Sequence, residues 1–380
     1  MTGHLQKKGN IWYAVVDILG NDGIRQKQKW ISTKQKSKTE ANKVFRDILN
    51  KMENESYVDN SNICFLEYAK TWLEDVHKIQ VEPTTYEATK IIYTAHFERY
   101  FKKNILLQNV TALVIQKYFN EKAENGKKNG TGLSGNTLRK HKILFKSVFD
   151  YAVKNGLLAK NPVDNIVLPK KQKFIGSYYT ADQLDTLIQV SKGSPVEAAI
   201  FLTAHYGFRR GEVLGLTWDD IDFKRRTITV NTTIVNCGNK DIRKCPKTES
   251  SRRVLPFIDV VEKYLRRLKV KQKENKLLWG NSYCENNAVC CWDDGRLQST
   301  NYISHKFADI LKEHNLPRIR FHDLRHSTAS YLLKLGFSLK EIQVWLGHSD
   351  ISTTANIYSH VDMEMKQNVA NKLNKIASSE

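Results

Sequence analysis

Four side chains in one stretch near the carboxyl end of the chain suit chemistry on a phosphate group. The stretch, residues 321–360, reads FHDLRHSTASYLLKLGFSLKEIQVWLGHSDISTTANIYSH. His322 and Arg325 are three residues apart at a predicted helix start, so their side chains share one face. His348 follows the next predicted helix, and Tyr358 comes ten residues later. This set predicts a tyrosine nucleophile supported by histidine and arginine.

Displacement at phosphorus needs three kinds of group. A nucleophile attacks, positively charged donors hold the non-bridging oxygens as charge builds, and an acid protonates the leaving oxygen. Arginine suits the second task because its planar fork binds two oxygens and keeps its charge. A tyrosine nucleophile would form a covalent phosphotyrosine that conserves the bond energy. We therefore expect chemistry that uses no ATP, no metal and no other cofactor.

The composition indicates a polyanionic partner. The chain has 60 Lys and Arg against 40 Asp and Glu, which gives a net charge of +20, and nucleic acid is the commonest partner for such a balance. A lysine-rich chain with no polyanion is the alternative. The amino terminus has no apolar signal region, and no run approaches the roughly 18 apolar residues of a membrane span. We expect a cytoplasmic protein, with no membrane partner and with free thiols.

Three domains are expected from the length and the pattern of apolar residues. Residues 1–57 read as a small sheet backed by one helix. Lys27 and Lys29 give this sheet a basic face, which fits either a DNA-reading module or a solvated lysine face. Residues 63–165 read as all helical. Residues 175–380 read as a mixed, mainly α domain with a small antiparallel sheet.

The last helix of the second domain and the linker after it are basic. Such a surface either follows a nucleic-acid backbone, where each phosphate contact adds affinity without sequence information, or is simply solvated. The candidate residues are Arg139, Lys140, Lys142, Lys146, Lys170 and Lys171.

Four motifs resemble, in order, those of the tyrosine recombinases, specifically the integrases of temperate phages and integrative conjugative elements. They are HYGFRRGEVLGLTWDDID at 205–222, PKTESSRRVLP at 246–256, FHDLRH at 321–326 and LGHSDISTTANIYSH at 346–360. They correspond to the family's first arginine motif, lysine hairpin, His-x-x-Arg box and closing His and Tyr segment. Together they cover the third domain. The fit of the first two domains to an arm-binding module and a core-binding domain rests on pattern alone.

The resemblance implies the main catalytic roles. Arg209 and Arg325 would clamp the scissile phosphate. Lys247, on a β-hairpin, would be the general acid for the 5′-oxygen. Tyr358 would attack and form a 3′-phosphotyrosyl link.

Three further residues would support these groups. His322 and His348 would supply hydrogen bonds or proton transfer, and Glu212 would orient or balance the site. Every matched position holds the expected residue type, which predicts an active enzyme.

The implied function is site-specific recombination that integrates and excises a mobile element through a Holliday junction. Strand exchange needs four active sites, so the resemblance implies a homotetramer on double-stranded DNA, at core sites and arm sites. An excisionase and a DNA-bending protein would be further partners, and the bound protein would be associated with the bacterial nucleoid. Two alternatives stay open: a type IB topoisomerase and a catalytically idle DNA-binding regulator of the same fold. An amphipathic tail helix after Tyr358 would pack on its own domain or on a neighbouring protomer.

Overall fold

The computed structural model describes residues 2–19, 25–53, 62–170, 178–238, 240–244 and 252–347, together with Ala370 and Asn374. The chain divides into two compact units, Met1–Lys173 and Phe174–Glu380. Mostly helical content with small antiparallel sheets is confirmed. Within the described ranges, no helix is long and apolar enough to cross a membrane.

The first unit begins with a three-stranded antiparallel sheet in the order β1-β2-β3, followed by a helix. The elements are β1 (Gly3–Lys8), β2 (Ile11–Leu19), β3 (Arg25–Ser32) and α1 (Lys38–Glu53). Ala14 and Val16 of the sheet pack on Ile48 of α1, and all three side chains are buried. The sequence predicts only two strands. The third, β1, is mostly polar, and Leu5 is its apolar contact with this core.

Lys27 and Lys29 of this sheet project to the same side as α1. Lys29 pairs with Val16 and Lys27 with Ile18, and directly opposed residues of an antiparallel pair project to the same side. Val16 belongs to the core against α1, so both lysines project to the side of the sheet on which α1 packs. Lys27 is exposed there and Lys29 is partly exposed, and DNA contact by these two residues stays a prediction. Trp30, 46% exposed, lies on the opposite face with its paired residue Val15.

Helices form the rest of the first unit. They are α2 (Phe65–Thr71), α3 (Lys78–Gln80), α4 (Pro83–Ile92), α5 (Glu98–Tyr100), α6 (Ala112–Asn125) and α7 (Gly135–Lys154). A π-helical turn, Trp72–His77, joins α2 to α3, and a second, Tyr93–Phe97, joins α4 to α5. Aromatic rings fill the core, with the Phe97 and Phe145 centroids 4.1 Å apart.

The basic side chains of α7 make contacts within the unit. Arg139 donates to the Pro169 carbonyl at 3.2 Å and Lys142 to the Ile166 carbonyl at 2.8 Å. Lys146 pairs with Asp164 at 2.9 Å, while Lys140 is exposed. Three of the four thus hold the segment that follows α7, and DNA contact by these residues stays a prediction. Lys170 is exposed and Lys171 lies outside the described residues.

The second unit contains seven described helices and five strands. The helices are α8 (Ala181–Val190), α9 (Glu197–Tyr206), α10 (Arg210–Gly215), α11 (Asp259–Trp279), α12 (Thr300–Glu313), α13 (Asp323–Lys334) and α14 (Leu339–Leu346). The strands are β4 (Ile221–Asp222), β5 (Thr227–Val230), β6 (Thr233–Cys237), β7 (Lys240–Lys244) and β8 (Arg253–Pro256). Helix α9 is apolar on nearly all sides and lies in the core. Ala370 and Asn374 are the described part of the predicted tail helix, and both are helical.

The sequence predicts one strand over residues 227–235, and this prediction is wrong, because the structure forms two strands there that belong to different sheets. β5 pairs with β4 and β8, whereas β6 pairs with β7. The break follows from close packing on α10: a Cβ on Gly211 would lie 2.4 Å from the Ile234 carbonyl oxygen, and one on Gly215 would lie 2.5 Å from that of Thr232. Glycine at both positions therefore lets β6 lie directly on α10.

The β6–β7 hairpin is also attached to α12. The Asp241 carboxylate accepts hydrogen bonds from the backbone N–H and the hydroxyl of Thr300, both at 3.0 Å. Thr300 is the first residue of α12, where the helix dipole favours a negative charge. The hairpin is thus held to α10 through one strand and to α12 through the other. The sequence predicts a strand over residues 242–247, and the described part of β7 ends at Lys244.

Candidate active site

Arg209 and Glu212 are positioned by the start of α10. Arg209 precedes the helix with an extended backbone, and its N–H donates to Glu212 Oε2 at 3.0 Å. Its Nη1 donates to Glu212 Oε1 at 2.5 Å. The Glu212 side chain is 4% exposed and that of Arg209 35%, so the carboxylate orients an arginine that still reaches solvent.

Arg325 lies deeper, on the first turns of α13, and its side chain is 1% exposed. Its Nη1 donates to the Gly207 carbonyl at 2.9 Å, and its Nη2 to the Leu346 carbonyl at 2.7 Å. Nη1 is also 3.9 Å from Glu212 Oε2. Arg325 thus joins the carboxyl-terminal ends of α9 and α14 and lies beside the same carboxylate as Arg209.

Gly207 is required both by its backbone and by its neighbours. Its φ of 65° is left-handed, and a Cβ would lie 2.3 Å from Leu346 Cδ2.

We expect Gly207→Ala to lower the free energy of unfolding by about 2–4 kcal/mol, because the costs of backbone strain and of overpacking add. Gly193→Ala is the matched control: Gly193 has a φ of 73° and no atom within 4 Å of its added Cβ, so about 1–2 kcal/mol is expected. Urea unfolding of both variants checks this, and equal losses would contradict the packing contribution.

A third arginine, to which the sequence motifs assign no role, completes the cluster. Arg253 donates from Nη2 to Glu212 Oε2 at 3.0 Å and from Nε to the Trp345 carbonyl at 3.1 Å. Its side chain is 7% exposed and its guanidinium lies 5.7 Å from the centre of the Phe208 ring. The sequence signal that could have identified it is strand alternation, since Arg253 is two residues before the buried Leu255.

The three guanidiniums surround one carboxylate. Burial would raise the pKa of Glu212, but Arg253, followed by Arg209 and Arg325, outweighs burial and lowers that pKa to about 2. Burial and Arg209 lower the pKa of Arg325, whereas Glu212 opposes them; an arginine starts from so high a pKa that it stays protonated. The cluster is therefore a positively charged site with its one carboxylate ionised, which suits an anion.

His322 lies directly before α13, and its ring is 5.3 Å from that of His326. Partial burial, followed by the nearby His326 and Arg325, lowers the pKa of His322 to about 4. The residue is still partly accessible to solvent, which moderates the lowering of its pKa. Because the pKa is lowered, the ring is neutral at pH 7. A neutral imidazole can accept a proton or a hydrogen bond.

A cleft of about 690 Å³ opens beside Arg209 and His322. Arg210, Arg318 and Arg320 also line it, so its walls are strongly basic. A larger cavity of about 830 Å³ contains none of the residues matched by the motifs. The cleft beside Arg209 and His322 combines basic walls with a neutral imidazole, which suits the binding of an anion.

The structure brings together Arg209, Glu212, His322 and Arg325 from two distant motifs. Lys247, His348 and Tyr358 lie outside the described residues, so their roles stay predictions. Among the residues that the structure does describe, no group of three or more His, Cys, Asp or Glu side chains could hold a metal ion.

Comparisons with known proteins match nearly the whole chain. Residues 177–365 match the Phage integrase family, and residues 64–173 match the Phage integrase SAM-like domain. The chain is 30% identical to a tyrosine recombinase XerC-like protein of Caldanaerobacter subterraneus over 97% of both chains. It is 28% identical to the ICEBs1 integrase of Bacillus subtilis, covering 79% of this chain and 80% of that protein.

Solved structures share the fold. The Tn1549 transposon integrase in complex with transposon right end DNA has a TM-score of 0.65 at 20% identity, covering 82% of this chain and 100% of that one. A lambda integrase tetramer bound to a Holliday junction has a TM-score of 0.59 at 16% identity, covering 92% and 94%. With the family matches and the arginine cluster, these similarities show that the chain belongs to the phage integrase family of tyrosine recombinases, enzymes that break and rejoin DNA strands.

Proposed function

We propose that this recombinase integrates and excises a mobile element by cutting and rejoining double-stranded DNA at specific sites. The observation that carries the proposal is the convergence of Arg209 and Arg325 on Glu212 beside a basic cleft. Two forked donors near one exposed imidazole suit the two non-bridging oxygens of a phosphodiester. Of the two alternatives, a topoisomerase or an idle regulator, neither is favoured by the relatives of the chain.

The proposed reaction begins with attack by the Tyr358 oxygen on the scissile phosphorus. The bond from phosphorus to the 5′-oxygen breaks, and Lys247 protonates that oxygen to give a free 5′-hydroxyl. His322 and His348 accept or hold the tyrosine proton and bond the phosphate, while Arg209 and Arg325 hold its non-bridging oxygens. A 5′-hydroxyl from the other duplex then displaces Tyr358, so the number of phosphodiester bonds is conserved.

We assign one role in this reaction to each of the three predicted domains. Residues 1–57 would bind arm sites, residues 63–165 would hold the core site, and residues 175–380 would carry the chemistry. Lambda integrase has been solved as a tetramer on a Holliday junction, which supports a homotetramer on DNA here. We also propose action in the bacterial cytoplasm on the nucleoid, with an excisionase and a DNA-bending protein as further partners.

Recombination between two DNA duplexes tests the proposal. Mixing two labelled duplexes that carry the ends and the target of the element should yield joined products of predicted length, with four-way junctions as intermediates. Removing residues 1–57 should leave cleavage at the core site intact and impair complete recombination. Relaxation of supercoiled DNA at many sequences without any joined duplex would support a topoisomerase instead, and unchanged recombination by the shortened protein would contradict the arm role.

A further inference from the structure

Three successive carbonyls at the end of α14 are each bonded by a different arginine. Arg253 donates to the Trp345 carbonyl at 3.1 Å. Arg325 donates to the Leu346 carbonyl at 2.7 Å, and Arg209 donates to the Gly347 carbonyl at 3.0 Å. The last carbonyls of a helix lack partners within the helix and carry its negative dipole end. The chain continues from this end toward His348 and Tyr358. The arginine cluster therefore also holds the end of α14, after which the sequence reaches His348 and Tyr358.

Arg253 has much less access to solvent than Arg209. Its side chain is 7% exposed against 35% for Arg209, and the Phe208 ring lies over its guanidinium. Arg325 is also buried, but it belongs to the motif whose arginine is proposed to bind phosphate. Arg253 bonds instead to Glu212 and to Trp345, and both contacts are internal.

Charge at the cluster gives Arg253 a function. Arg253 shares the ionised carboxylate of Glu212 with Arg209 and Arg325. Without Arg253, the whole charge of Glu212 would fall on Arg209 and Arg325. Charge pairs at these separations interact strongly in a partly buried site, so Glu212 would hold these two guanidiniums more firmly and leave them less available to a phosphate.

We propose that Arg253 is a positioning residue for cleavage: it balances Glu212 and thereby keeps Arg209 and Arg325 available for the scissile phosphate. This role rests on the proposed function. It predicts that loss of Arg253 slows cleavage only when Glu212 is charged. If Arg253 merely held the fold together, its loss would slow cleavage whether or not Glu212 is charged.

A double-mutant cycle on covalent adduct formation tests this. The variants are Arg253→Met, Glu212→Gln and the two combined, with a nicked substrate that traps the adduct. Arg253→Met alone should slow adduct formation about 100-fold, in the range seen when one charge-stabilising donor is lost. In the Glu212→Gln background, Arg253→Met should slow adduct formation less than about threefold, because residue 212 then carries no negative charge that could hold Arg209 and Arg325. A loss of about 100-fold in both backgrounds would overturn the proposal.

The combined variant keeps the test valid if Arg253→Met alone fails to fold, because replacing both members of a buried pair avoids an uncompensated charge. Arg226→Met is the matched control, since Arg226 pairs with Asp259 and Glu262 at the surface of the same unit, and its rate should stay within about twofold of wild type.

A second substrate tests the charge directly. A methylphosphonate at the scissile position replaces one non-bridging oxygen by a methyl group and removes its negative charge. Arg253→Met should slow adduct formation on this substrate less than about fivefold, against about 100-fold on phosphate. Equal slowing on both substrates would overturn the charge role. Wild-type protein that forms no adduct with phosphate would instead overturn the proposed function, and the role of Arg253 with it.

Discussion

Arg325→Met should reduce the rate of covalent adduct formation at least about 1,000-fold, the upper range for loss of a transition-state donor. The guanidinium is buried, bonds the carbonyls of Gly207 and Leu346, and lies 3.9 Å from Glu212. Methionine keeps most of the volume but leaves these carbonyls without a donor. We therefore also expect a loss of about 1–3 kcal/mol in the free energy of unfolding for each buried polar group left unsatisfied.

Arg325→Lys separates the two effects. Lysine keeps the charge but not the planar fork, so it cannot bond two carbonyls and a phosphate in the same geometry. We expect a folded protein in urea unfolding that still forms adduct at least about 100-fold more slowly than wild type. Arg266→Met is the matched control, because Arg266 pairs with Glu262 at the surface. An Arg325→Lys protein that cleaves at the wild-type rate would rule out phosphate clamping by this residue.

Tyr358→Phe should abolish adduct formation while leaving DNA affinity within about twofold of wild type. The change removes one hydroxyl oxygen and keeps the ring, so the nucleophile is lost and packing is largely retained. Tyr331→Phe is the control: Tyr331 is 39% exposed on α13, and its variant should cleave normally. Gel separation of protein–DNA adducts under denaturing conditions, beside binding measured on intact duplex, distinguishes lost chemistry from lost binding. Adduct formation by Tyr358→Phe at any substantial rate would contradict the proposed nucleophile.

Much of the site follows from local spacing in the sequence. Arg209 and Glu212 are one helical turn apart, and the structure makes Glu212 the acceptor for both the backbone and the side chain of Arg209. His322 and Arg325 likewise lie at the start of one helix. Spacing alone does not predict that these two pairs of residues lie next to each other. Their proximity depends on long-range packing around Glu212 and the end of α14.

Other features depended on tertiary contacts that local pattern does not encode. TITVNTTIV is β-prone except at Asn231, which lies at the break between β5 and β6, and a single Asn is a weak signal. The contact of the second strand with Gly211 and Gly215 of α10 is what local pattern does not show. The motif that contains Arg253 assigns it no role, although alternation with Leu255 places its side chain inward. Lys29 reads as part of a free basic face, but its register with Val16 puts it on the side of α1.

The most direct test of the proposed mechanism is to identify the amino acid that becomes linked to DNA. Wild-type protein would be trapped on a nicked substrate, digested with protease and sequenced by mass spectrometry. The predicted result is one peptide joined through Tyr358 to a 3′-phosphate, with a free 5′-hydroxyl on the released strand. A link through another residue, a 5′-phosphate attachment, or no covalent product on DNA that the protein binds would contradict the account.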